Sequence, residues 1–216
     1  MYAIRNILMV TACLWNMTAF ALEDLERQRL QHLQARWAEI NYQVPDKERE
    51  AAFAALQEEA EQAVAQAPDS PELLIWRGII LSSRAGAKGG LGALDLVKKA
   101  KVSLEAAMSV DPKALDGSAY TSLGSLYYQV PGWPIGFGSG EKAEAMLREA
   151  LAINPDGIDP NYFYGDYLFR EKRYDEARSA LLRALAAGDR PGRETADEGR
   201  REEIRALLGK VTAKLD

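Results

Sequence analysis

The chain has one cysteine and one histidine in 216 residues. Cys13 and His32 are too few to build a disulfide or a cluster of thiolate or imidazole metal ligands, and Cys13 lies in a segment whose cleavage leaves no cysteine nucleophile. A surplus of positive charge is also lacking. The formal charge is −5 and the isoelectric point about 5.2. A nucleic-acid binder needs a basic footprint to neutralise phosphates, and none is expected here. Basic clusters such as Lys98-Lys99-Lys101 and Arg200-Arg201 sit among acids and read as solvated helix faces. His32 lies in a charged helical stretch and reads as a surface residue. The glycines form neither a phosphate loop nor a dinucleotide fingerprint. Gly86 to Gly92 lacks the closing Lys-Ser/Thr, and Gly136-Phe137-Gly138 lacks its third glycine. No cofactor and no metal are expected, and the chain reads as a non-enzyme.

The first residues do not belong to a folded domain. Arg5 precedes an apolar run from Ile7 to Ala21 that ends in Ala19-Phe20-Ala21. Small residues at the two flanking positions suit a signal peptidase, and charge density rises abruptly from Glu23. The run is too short for an ordinary membrane span, which needs roughly 20 residues. Residues 1–21 are therefore expected to be a cleaved export signal, with a mature chain starting at Leu22 in the periplasm. Two alternatives attach the protein to the membrane. One is an uncleaved anchor, and the other is lipidation of Cys13 within Val10-Thr11-Ala12-Cys13.

What the chain does have is internal repetition. Three segments share small, large and small residues at offsets of four and three: Ala100-Leu104-Ala107, Ala143-Leu147-Ala150 and Ala177-Leu181-Ala184. These offsets place each triplet on one helical face. Pro112 and Pro155 stop the first two helices. Upstream of each triplet lies another helix with an interior glycine, Gly78, Gly124 or Gly165. Such a glycine costs about 1 kcal/mol relative to alanine, so a close helix crossing is expected at each. Ala143 to Ala177 spans 34 residues, as do Leu147 to Leu181 and Ala150 to Ala184.

With its 34-residue step and its glycine-to-alanine interval, the sequence resembles the tetratricopeptide family from about Pro71 to Ala187. The resemblance implies an all-α solenoid of three to four antiparallel helix pairs. Residues 22–70 form an N-terminal pair, 71–190 the repeats, and 191–216 a C-terminal capping helix. The first two units are longer than the third, and the extra residues are expected as glycine-rich insertions at 85–92 and 131–140. Tyr42-Gln-Val-Pro45 and Tyr128-Gln-Val-Pro131 echo one another 86 residues apart, extending the period upstream. Ile204, Leu207, Leu208 and Val211 supply the apolar stripe of the terminal helix.

The resemblance also implies which first-helix positions face a concave groove. They are Ile75, Ile79 and Ser82, then Thr121, Ser125 and Tyr128, then Tyr162, Asp166 and Phe169. This lining is neutral, aromatic and faintly acidic, which disfavours a receptor for charged tails. Trp133 and Phe137 stand among glycines in the second insertion. Two readings remain open for them: they plug the solenoid, or they overhang the groove and close on a partner segment or an apolar ligand. The candidate binding residues are Ile75, Ile79, Tyr128, Trp133, Phe137, Tyr162, Asp166 and Phe169.

The segment around Trp133, Pro134, Gly136 and Gly138, with the helix after it, resembles exported bacterial repeat proteins. These include the T-component associated with tripartite periplasmic (TRAP) transporters. The resemblance implies a periplasmic protein-interaction scaffold whose partner is a transporter substrate-binding protein. The alternative is a binder of a small apolar ligand in the concave groove.

Overall fold

The computed structural model describes residues 24–216. The export segment, the Ala19-Phe20-Ala21 site and Cys13 lie outside the described residues. Nine helices account for the regular structure there, with one isolated bridge between Gly132 and Gly138. They are α1 (24–43), α2 (Asp46–Gln66), α3 (Pro71–Lys88), α4 (Ala93–Val110), α5 (Ala114–Gln129), α6 (Gly140–Ile153), α7 (Ile158–Arg170), α8 (Tyr174–Ala186) and α9 (Glu194–Leu215). From α2 onward each helix packs on the next, and Arg29 and His32 of α1 bond to Gln66 and Glu59 of α2, so the described residues form an all-α solenoid of four pairs followed by a single helix.

Local chemistry sets the boundaries. Ser70 caps α3 by accepting from the Leu73 amide at 3.3 Å, and Pro71 occupies the first helical position. Ser139 caps α6 in the same way, accepting from the Lys142 amide at 3.3 Å. Gly89, at φ +63°, ends α3 in a conformation that favours glycine.

The repeated glycines and leucines meet. A β-carbon on Gly78 would lie 2.6 Å from Leu104 Cγ, one on Gly124 2.6 Å from Leu147 Cγ, and one on Gly165 2.7 Å from Leu181 Cγ. All nine residues of the three small-large-small triplets are completely buried. The second (B) helix of each of these pairs thus presses its leucine into a notch on the first (A) helix. In the first pair the pattern differs, with Leu56, Ala60 and Ala63 buried on α2.

The first insertion is shorter than its sequence suggests. Half of the expected loop 85–92 is helix, because α3 and α4 each run 18 residues, against 13 each for α7 and α8. Ala85 is buried in the core, which holds the end of α3 helical. Only residues 89–92 connect the two helices. The second insertion, 130–139, is a true loop.

The last helix does more than cover the end of the stack. It packs on α8 and α7, burying Ile204, Leu207 and Val211. Its N-terminal half also reaches α1: a β-carbon on Gly199 would lie 2.3 Å from the Tyr42 ring. The two ends of the solenoid therefore touch across its concave side.

Candidate functional site

That closure turns the concave groove into a cavity of about 670 Å³. The A helices line it, and α2 and α9 complete it. The B helices α4, α6 and α8 contribute no lining residue. One wall is aromatic. Trp37 meets Tyr42 and Trp76 edge-on, each at 5.8 Å between ring centroids, and Phe163 adds a further ring. The Trp37 indole N–H donates to Ser83 Oγ at 2.8 Å. Leu115 and Asp116 at the start of α5 also line the cavity, both in left-handed backbone at φ +47° and +54°. Non-glycine residues seldom adopt this geometry outside sites that constrain it.

A charged cluster packs against the Trp76 and Phe163 rings. Arg200, 8% exposed, donates through Nε to Asp159 Oδ1 at 2.9 Å and pairs with Glu203. Its guanidinium carbon lies 4.4 Å from the Tyr162 ring centroid and 4.8 Å from that of Phe163. Arg190 donates to Asp159 Oδ2 at 2.8 Å and, through its backbone amide, to Asp197 Oδ2 at 2.9 Å. Burial pushes the Asp159 carboxyl upward, but Arg200 and Arg190 outweigh it and hold it at about 2. Burial also pushes the Tyr162 hydroxyl up, to about 12.

The groove residues expected from the repeat pattern divide into several environments. Ile79 lines the cavity. Ile75 is wholly inside the core at 0% exposure and presents no side chain to a ligand, because α3 is covered on that side by its neighbours. Tyr162 packs under Arg200. Tyr128 and Asp166 form a separate cluster beyond the cavity. The Tyr128 hydroxyl donates to Asp166 Oδ2 at 2.8 Å, Arg170 pairs with the same oxygen at 3.2 Å, and burial pushes the tyrosine well above its ordinary value. Phe169 packs on Tyr174.

Trp133 and Phe137 part company. Phe137 folds down, edge-on to Tyr127 at 5.7 Å, with the Lys101 ammonium 6.0 Å from its centroid. Trp133 is 90% exposed, and neither it nor Phe137 lines the cavity. Ile135 beside it is 58% exposed. The loop carrying them is pinned. The Ser139 amide donates to the Tyr127 carbonyl at 2.8 Å and the Gly138 amide to the Pro131 carbonyl at 3.0 Å. A β-carbon on Gly138 would fall 1.9 Å from the Val130 carbonyl oxygen, so only glycine lets the loop fold back this closely. The result is a fixed backbone that holds a tryptophan out in solvent.

Sequence reasoning missed Trp37, Tyr42, Trp76 and Arg193, and the reading of Arg200 as part of a solvated face is corrected: its side chain is buried against Asp159 and the Tyr162 and Phe163 rings. The available signal was in α9: Arg193, Ala196, Arg200 and Glu203 fall on one helical face, and all four line the cavity.

Residues 135–192, from the loop after α5 through α6, α7 and α8, match a family model described as tetratricopeptide repeat. No curated protein matches the chain.

Proposed function

We propose that this tetratricopeptide-like solenoid is a non-catalytic scaffold that docks a protein partner through the loop carrying Trp133 and Ile135. The observation that carries the reading is the exposure of Trp133 on a loop held by its own backbone hydrogen bonds. A large exposed aromatic on a pinned backbone gains little for the free monomer, while tryptophan is enriched among the residues that dominate protein interfaces. Leu91, 83% exposed, occupies the corresponding connection of the preceding pair. Similarity to tetratricopeptide repeats supports binding rather than catalysis.

The test separates stability from binding. Trp133→Ala leaves the melting temperature almost unchanged, because the ring buries little area. It weakens partner binding by more than about 1 kcal/mol, as loss of an interface anchor does. A variant that melts far lower, or that binds the partner as tightly as the parent, overturns the docking role.

Export to the periplasm, and a transporter substrate-binding protein as the partner, belong to the same proposal. Their support is the apolar run ending in Ala19-Phe20-Ala21 and the resemblance around Trp133, Pro134, Gly136 and Gly138 to repeat proteins of TRAP systems. No described helix is long and apolar enough to cross a membrane. N-terminal sequencing of the protein from its native host is expected to begin at Leu22. A mature terminus at a lipid-modified Cys13, or an intact Met1, contradicts the cleavage proposed.

A further inference from the structure

The wall of the cavity contains three buried polar atoms that make no hydrogen bond among the described residues: Tyr42 Oη, Trp76 Nε1 and Arg193 Nε. A buried donor without an acceptor is costly, and native structures keep few of them. Here three belong to residues lining one cavity. Trp76 is 3% exposed, so its indole N–H has no solvent to turn to.

Arg193 is the most informative of the three. Its guanidinium carbon lies 4.9 Å from the Trp76 ring centroid, so the two groups cover one another. It has no ion pair among the described residues. The carboxylates around it are engaged elsewhere: Asp159 with Arg190 and Arg200, Asp197 with Arg190, Glu203 with Arg200. The cluster as a whole is balanced, three arginines with three carboxylates. The surplus is local and stands at Arg193. Burial and the neighbouring Arg190 push its pKa down, the direction for a cation whose charge is under-compensated. Arg190 and Arg200 each hold carboxylates of α7 and α9, whereas Arg193 holds none among the described residues.

We propose that the cavity binds an organic carboxylate carried on a compact apolar body. Arg193 grips the carboxylate, its guanidinium held in place by the Trp76 ring it stacks on. Trp37, Ile79 and Phe163 face the apolar part. A volume of about 670 Å³ suits a small molecule or the last residues of a peptide, not a folded partner. A guanidinium stacked on an aromatic face is pre-organised for carboxylate recognition. The site is separate from the Trp133 loop and survives the failure of the docking role.

Binding is read by calorimetry and tryptophan fluorescence on the protein comprising residues 22–216. The probes are 3-phenylpropionate, 3-phenylpropylamine, and the tripeptide Gly-Gly-Phe with a free or an amidated C-terminus. Saturable binding of phenylpropionate, of the free-acid peptide, or of both supports the proposal, and the pattern tells a free acid from a chain terminus. Arg193→Gln is expected to weaken that binding about tenfold or more, the loss of a charge-assisted contact. Its melting temperature stays level or rises, because no carboxylate loses its partner. Three results overturn the proposal: no carboxylate probe binds, the amine or the amide binds as well as the acid, or Arg193→Gln lowers the melting temperature while leaving affinity unchanged.

Discussion

Arg200→Ala is expected to destabilise the protein by about 3 kcal/mol, near the low end of the range for breaking a buried ion pair. Arg200 is 8% exposed and joins α9 to α7 through Asp159, Tyr162 and Phe163. Removing it leaves Asp159 with Arg190 alone and strips Glu203 of its cation. The Asp159 side chain keeps 28% exposure, so water compensates part of the loss, which is why the upper end is not expected. The pH dependence has a definite sign. The folded value of Asp159, about 2, lies below the ordinary carboxylate value. Its contribution is present above about pH 4 and is lost as pH falls toward 2. Burial pushes Glu203 upward even with Arg200 beside it, and further without it. Both effects narrow the gap between parent and variant on acidification. Urea unfolding at pH 7 and pH 3 is expected to show a large difference at the first and a smaller one at the second. An equal difference at both removes Asp159 and Glu203 from the account.

The second large effect tests the packing unit of the solenoid. Gly165→Ala should cost about 1–3 kcal/mol even though alanine favours helix, because the new methyl lands 2.7 Å from Leu181 Cγ in a fully buried contact. Leu181→Ala should cost about 2–5 kcal/mol as a cavity-forming change. In the double variant the alanine methyl occupies part of the space that the leucine leaves. The summed losses should then exceed the measured loss by about 1 kcal/mol or more, within the range for residues in contact. Chemical unfolding of the three variants measures this. Additive losses show that Gly165 and Leu181 are not the pair that sets the crossing.

These two variants also mark what the sequence could and could not reveal. The contact between Gly165 and Leu181 belongs to one helix pair, and its size complementarity recurs at a fixed interval. Periodicity therefore exposed it in the last three pairs. In α2 the large and small positions are exchanged, with Leu56 before Ala60 and Ala63, and the triplet disappears from view although all three residues are buried. The cavity was harder to see. It depends on where α9 lies relative to α1, and no local spacing encodes that. The apolar stripe of Ile204, Leu207 and Val211 announced a covering helix, but not that its other end would touch Tyr42. A clue was present in Gly199, an interior glycine in a charged helix, which now proves to be another close approach. Trp133 shows the opposite limit. Composition placed it in a glycine-rich loop, but only backbone hydrogen bonds fix whether such a ring turns inward, as Phe137 does, or outward.

The central claim is that the Trp133 loop is where a partner protein docks. Its most direct measurement places the photo-crosslinking residue p-benzoylphenylalanine at 133 and, as a control, at the exposed Leu182 of α8, with irradiation in the native host. The account predicts one dominant adduct from position 133 that is absent from position 182. The adduct protein, once purified, binds the parent chain and loses more than about 1 kcal/mol of that binding on Trp133→Ala. No adduct from position 133, the same adducts from both positions, or an adduct whose affinity ignores Trp133→Ala contradicts it.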